Sequence, residues 1–184
     1  MRQNASANRV ILAENDALMR GVIHTILLRA EQLVFPVADG LEAVTLARQF
    51  PARLVMLDVA MPRLDGLLAC QAIRALPGYA NVPIVMLTGY GDERTRLAAR
   101  QLGANDFITK PFRPKVLLAL LAPYIDVPPH LLPRDAPDQN AVLPGTHAQA
   151  WKTRQDANVS QAEHPELTSG REMMRIYRKA ERVD

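Results

Sequence analysis

Four short stretches of this sequence carry residues able to handle a phosphoryl group or a hard cation. Glu14, Asn15 and Asp16 follow the apolar run 10–13, and Asp58 ends the run 54–57. Thr88 ends the run 83–87, and Lys110 follows 107–109. Clustered carboxylates attract Mg²⁺, which takes oxygen ligands and keeps several waters. Within such a cluster Asp58 would be a nucleophile toward phosphorus, forming an acyl phosphate. The metal would neutralise charge on the transferring group. Thr88 would donate a hydrogen bond to a phosphoryl oxygen, and Lys110 would add a compact positive charge. Taken singly, each residue has a plainer reading as a turn residue, a β-branched strand residue or a solvated charge. The chemistry rests on the set.

The set needs a scaffold that brings strand ends together. Five apolar runs, 10–13, 33–37, 54–57, 83–87 and 107–109, alternate with helical patterns over 16–30, 40–50, 65–76, 92–102 and 114–124. Three runs are continuously apolar, as strands covered on both faces must be. Asp65 and Asp92 suit helix N-termini, and Pro114 suits a first helical turn. In the first helix, Leu18, Val22, Ile26 and Leu27 or Leu28 fall on one side at helical spacing. The order βαβαβαβαβα predicts an α/β fold, a doubly wound parallel sheet with helices on both faces and right-handed crossovers. In such sheets ligands bind at the carboxyl ends of the strands, where the polar set lies.

Composition sets further bounds. The 184 residues are 48% apolar, with 22 basic and 19 acidic residues, a net charge of +3. That balance predicts no nucleic-acid partner. A single cysteine, Cys70, excludes an internal disulfide and fits a cytoplasmic protein. The N-terminus lacks the apolar core of a signal peptide, and no run approaches ~18 apolar residues, so no membrane span is expected. None of the four histidines is spaced like a metal site. Six prolines fall between 123 and 144, which predicts a disordered linker over 126–164 after a domain spanning 1–125. Residues 165–184 have the pattern of a short, marginal helix, with Met173, Ile176, Tyr177 and Ala180 on one side.

Residues 9–125 resemble the receiver domain of bacterial two-component response regulators. The matching segments are RVILAENDALMR, LVMLDVAMPRLDG, VPIVMLTGYG and GANDFITKPF, in that order. The resemblance implies a flavodoxin-like fold with strand order 2-1-3-4-5. It implies Asp58 as phosphoacceptor, Thr88 as switch hydroxyl, Phe107 as switch aromatic and Lys110 as the phosphate-pairing lysine. It implies a cis bond before Pro111. Mg²⁺ would be held by Glu14, Asn15, Asp58 and the backbone carbonyl of Ala60. Partners would be a histidine kinase or phosphotransfer protein and a downstream protein on the face of helix 4, strand 5 and helix 5, where Arg94, Arg96, Arg100, Arg113 and Lys115 cluster. A homodimer stays open as a further partner. Ala60 and Tyr90 flank the path of the hydrolytic water and predict slow dephosphorylation.

Asn15 departs from the resemblance, since the family usually places a second acid there. An amide oxygen can coordinate Mg²⁺ without charge, so binding is expected to be weak. Asp16 does not restore the charge, because it starts a helix. Asn15 also keeps open a pseudo-receiver that binds partners without phosphate. A DNA-binding regulator finds no helix-turn-helix in the tail. A phosphatase with an Asp nucleophile needs a second Asp where Ala60 stands. The reading is a non-enzymatic response regulator that signals by protein contact.

Overall fold

The computed structural model describes residues 8–89 and 93–133. Asp92, Tyr90 and everything from residue 134 on, including the expected tail helix, lie outside them.

Five parallel strands form one sheet: β1 (Arg9–Ala13), β2 (Leu33–Val37), β3 (Leu54–Asp58), β4 (Ile84–Thr88) and β5 (Asp106–Thr109). Their order is β2-β1-β3-β4-β5, as the resemblance implies. Five helices alternate with them: α1 (Ala17–Arg29), α2 (Gly40–Gln49), α3 (Gly66–Arg74), α4 (Glu93–Gln101) and α5 (Pro114–Leu121). α1 packs beside α5, and α3 packs between α2 and α4, so helices cover both faces.

The three central strands are buried along their length, and the two edge strands only in part. Residues 10–13, 54–57 and 84–87 have no measurable exposure, which makes them the centre of the core. This matches their continuous apolar character. The helices start where short polar side chains can bind free N–H groups. Asp16 caps α1 by accepting from the Met19 N–H at 2.7 Å, and Asp65 caps α3 by accepting from Leu68 at 2.9 Å. Asp39 caps α2 through Glu42 N–H at 3.0 Å, while the Glu42 carboxylate accepts from Ala38 N–H, a reciprocal capping arrangement.

Two features differ from the pattern-based expectation. The inward face of α1 is Ile23, Ile26, Leu27 and Ala30, so Ile26 and Leu27 of the expected stripe are buried while Leu18 and Val22 are not. Leu18 is 80% exposed, Val22 43% and Leu28 50%. α1 carries two apolar stripes, and periodicity alone cannot say which one meets the sheet. Second, the placed chain runs past residue 125 through Pro133 and includes a 3₁₀ turn at Pro129–Leu131. Asp126 is tied back by Arg53 at 3.3 Å and by the buried Gln32 amide, whose Nε2 donates to the Asp126 carbonyl at 3.0 Å.

Arg74 closes the loops that lead into β4 and β5. Its guanidinium donates to the carbonyls of Tyr79, Ala80, Val82 and Gly103 and to the Asn105 side chain. Cys70 is a core residue of α3, and burial pushes its thiol up to about 11, which makes it unreactive.

Candidate functional site

The carboxyl ends of β1, β3, β4 and β5 deliver the polar set to one place. Glu14 directly follows β1, and its backbone N–H donates to the Val37 carbonyl at 3.1 Å, continuing the ladder with β2. Its side chain is fully buried. Asp58 is the last residue of β3 and is 4% exposed. Lys110 follows β5, and its N–H donates to the Thr88 carbonyl at 2.7 Å, which sets it beside the end of β4. The Lys110–Pro111 bond is cis.

Lys110 is the centre of the arrangement. Its Nζ lies 2.9 Å from Glu14 Oε2 and 3.1 Å from Asp58 Oδ1. Glu14 Oε1 also accepts the Asp16 N–H at 3.2 Å. Asp58 Oδ1 accepts the Ala60 N–H at a long 3.4 Å. Two carboxylates and one ammonium leave this trio at −1. Burial raises the Glu14 pKa; the hydrogen bond from Lys110 pulls it back and the charge of Asp58 adds to the rise, so it stays above the usual carboxylate value. Burial alone would lower Lys110, but the hydrogen bonds and charges of Glu14 and Asp58 outweigh it and hold the ammonium above its usual pKa.

Asn15 is exposed on the loop after Glu14. Arg20 holds this loop from α1: its Nη1 donates to the Glu14 carbonyl at 2.6 Å and to the Asn15 carbonyl at 3.3 Å. Asp16 is spent on capping α1, as its position predicts. Among the described residues, no three histidine, cysteine, aspartate or glutamate side chains come together as a metal site. Glu14 and Asp58 are the two acids that meet on Lys110, and position 15 holds an uncharged amide. The donors that the resemblance assigns are all oxygens: the carboxylates of Glu14 and Asp58, which the structure brings together on Lys110, with the Asn15 amide and the Ala60 carbonyl. That set suits a hard cation, at reduced charge.

The loop from Asp58 to α3 closes tightly. Val59 N–H donates to the Leu87 carbonyl and Gly66 N–H to the Val59 carbonyl. A Cβ at Gly66 would fall 2.0 Å from the Asp58 carbonyl oxygen, so only glycine permits this closure.

Thr88 is buried at the end of β4, one residue beyond the register partner of Asp58. Phe107 is half-buried on β5, with the guanidinium carbons of Arg96 and Arg100 at 5.9 and 5.8 Å from its ring centre. Arg96 Nη2 also donates to Thr109 Oγ1 at 3.2 Å. Of the basic residues expected on this face, Arg94, Arg113 and Lys115 are exposed, while Arg96 and Arg100 turn onto the ring. Cation–π contacts of this kind were invisible in the sequence, where the arginines read as surface charge. Arg20 and the Asp39–Arg63 pair were missed as well; the only trace of the latter was the capping sequence DGLE.

Fold and pocket together define a flavodoxin-like domain with a lysine-bridged carboxylate pair at the switch point of its sheet. The chain belongs to the response regulator receiver domain family, which matches residues 10–122. A chemotaxis protein, CheY4 of Vibrio cholerae, superposes with a TM-score of 0.62 at 28% identity, covering 64% of this chain and 98% of that one. The receiver domain of sensor histidine kinase PA1611 from Pseudomonas aeruginosa, solved with magnesium in its active-site cleft, gives 0.60 at 31% identity over 64% and 97% of the two chains. A probable transcriptional regulator, ycf27 of Guillardia theta, is 40% identical over 60% of this chain and 42% of its own length. The DNA-binding response regulator MtrA of Mycolicibacterium paratuberculosis is 38% identical over 60% of this chain and 48% of its own. This chain therefore spans less than half the length of these curated relatives. Among the described residues, no helix is long and apolar enough to cross a membrane.

Proposed function

We propose that this receiver accepts a phosphoryl group on Asp58 and passes the signal on by protein contact. The observation that carries the reading is Lys110 lying between Glu14 and Asp58 at the carboxyl end of the sheet. A carboxylate oxygen of Asp58 attacks phosphorus. The bond from phosphorus to the donor breaks, and its electron pair leaves with the donor. The product is an acyl phosphate. Lys110 is within reach of the charge this places on Asp58, and the Thr88 hydroxyl would donate to a phosphoryl oxygen. Mg²⁺, when bound by Asp58, Asn15 and the Ala60 carbonyl with Glu14 beside them, supplies charge neutralisation for the transferring group.

The donor is a histidine kinase or phosphotransfer protein, and the exposed stripe of α1 supports a docking site for it. Leu18 and Val22 lie on the first turns of the helix that Asp16 caps, shortly after Glu14 in the chain. Exposed leucine and valine in line on one helix make a surface that partners bury. Output runs through the face of α4, β5 and α5, where Leu97 is 54% exposed near Arg94. MtrA is named as a DNA-binding regulator; for this chain protein contact is the reading we favour.

The test is phosphotransfer from a histidine-phosphorylated phosphotransfer protein, followed by intact mass. The parent gains one phosphoryl group. Leu18→Asp slows that transfer about tenfold or more, as loss of a buried interface anchor does, while uptake from a small phosphodonor stays within about twofold. Equal slowing with both donors contradicts the docking role.

A further inference from the structure

The loop after Asp58 is strapped to a second part of the fold. Arg63 sits in this loop with φ +60°, a left-handed conformation that a long side chain seldom adopts. Its guanidinium reaches the start of α2. Nε donates to Asp39 Oδ2 at 2.6 Å, Nη2 donates to the same oxygen, and Nη2 also donates to Glu42 Oε1 at 2.9 Å. Arg63 itself is half exposed, but Asp39 is 3% exposed. Ion pairs between two solvated side chains contribute little. This one is anchored on a buried carboxylate whose other oxygen caps α2, so its geometry is fixed at the α2 end.

The next residue makes a second tie. Gly40 N–H donates to the Leu64 carbonyl at 3.2 Å, and a Cβ at Gly40 would lie 2.4 Å from that oxygen. Two consecutive loop residues are thus bound to the first turn of α2. At its near end the loop carries Ala60, whose N–H donates to Asp58 Oδ1 at 3.4 Å and whose carbonyl the family resemblance assigns to the metal. A strained backbone conformation persists only where surrounding contacts over-determine it, and here those contacts are Asp39 and Glu42.

We propose that Arg63 is a positioning residue for the acidic pocket: by tying the loop after Asp58 to the start of α2, it sets how tightly the pocket holds Mg²⁺. The inference rests on the phosphoacceptor reading for its purpose, but not for its test. With Asn15 in place of an acid, the pocket depends more heavily on the placement of its remaining oxygens, and the Ala60 carbonyl is placed by this loop.

The experiment uses the full chain and its Arg63→Gly, Arg63→Lys and Arg53→Ala variants. Glycine favours the left-handed backbone, so Arg63→Gly removes the tie without adding strain. Lysine keeps the charge but lacks the fork that spans Asp39 and Glu42. Arg53 pairs with Asp126 at the opposite end of the sheet and reports general loosening. Mg²⁺ alone is titrated by calorimetry, and urea unfolding follows stability. Arg63→Gly weakens Mg²⁺ binding about tenfold, in the range seen when groups supporting metal ligands are removed. Arg63→Lys falls between it and the parent, and Arg53→Ala binds as the parent does. At saturating Mg²⁺, phosphoryl uptake from a small donor by Arg63→Gly returns to the parent level. Unchanged Mg²⁺ affinity in Arg63→Gly, or an equal loss in Arg53→Ala, overturns the inference. A parent that binds Mg²⁺ but takes up no phosphoryl group overturns the phosphoacceptor reading alone, and the Mg²⁺ comparison still decides the role of Arg63. A parent that binds no Mg²⁺ overturns the role of Arg63 outright.

Discussion

Lys110→Ala lowers the stability of the domain by about 3 kcal/mol at pH 7, the cost of removing one partner from a buried ion pair, and the loss shrinks as the pH falls toward 4.5. Glu14, fully buried, and Asp58, nearly so, share one ammonium. Without Lys110 both carboxylates remain out of water with no counter-ion. The pH dependence follows from Glu14. Burial has raised its pKa in the fold above the ordinary 4.5. A carboxyl raised in this way binds its proton more tightly when folded, so its contribution is most favourable below 4.5 and is lost as pH rises through the folded-state value. Lys110 is the group that restrains this rise. Removing it pushes the Glu14 value further up and widens the range over which the variant suffers. At low pH a protonated Glu14 needs no counter-ion, and the gap between the two proteins narrows. Lys110 follows the same sign at the alkaline end. Its pKa is raised above 10.5, so its stabilisation is complete below 10.5 and fades above it. Urea unfolding of parent and variant between pH 4 and 8 measures the difference. A gap that stays constant across that range contradicts the shared-counter-ion account.

Asn15→Asp has the opposite character. It leaves the fold alone and tightens Mg²⁺ binding about tenfold, roughly 1.4 kcal/mol. The parent trio of Glu14, Asp58 and Lys110 carries −1, and an aspartate at 15 takes the pocket to −2. Asn15 is exposed, so the added charge acts through a solvent-screened medium and not at its full low-dielectric strength. Its loop is held by Arg20 through the Glu14 and Asn15 carbonyls, contacts that the substitution leaves in place. Calorimetric titration of Mg²⁺ into both proteins reads the change directly. The Mg²⁺ concentration for half-maximal phosphorylation by a small donor shifts by the same factor. Equal dissociation constants would mean that residue 15 does not meet the metal.

The scaffold was legible because two periodicities alternate along the chain. The buried strands β1, β3 and β4 are continuously apolar, and aspartates stand at the starts of α1 and α3 where the structure uses them as caps. The site was legible because its members sit at strand ends, which sequence order locates. What failed to show were contacts made across the fold by long side chains. Arg63 and Asp39 are 24 residues apart, and nothing in either segment links them. Arg96 and Arg100 read as solvent-facing charge, yet their guanidinium groups lie over Phe107. The orientation of α1 was misread for a related reason. Leu18 and Val22 continue the stripe of Ile26 and Leu27 at helical spacing as well as Ile23 does, and only the position of the sheet decides which of them is covered.

The central claim is that Asp58 takes a phosphoryl group, and intact mass tests it most directly. The full chain is incubated with Mg²⁺ and a small phosphodonor, with Asp58→Asn alongside. The account predicts one added phosphoryl group on the parent, none on the variant, and loss of the label with hydroxylamine, which cleaves acyl phosphates. A folded parent that stays unmodified at saturating Mg²⁺, or an Asp58→Asn variant labelled equally, would contradict it and point to a receiver that binds its partners without phosphate.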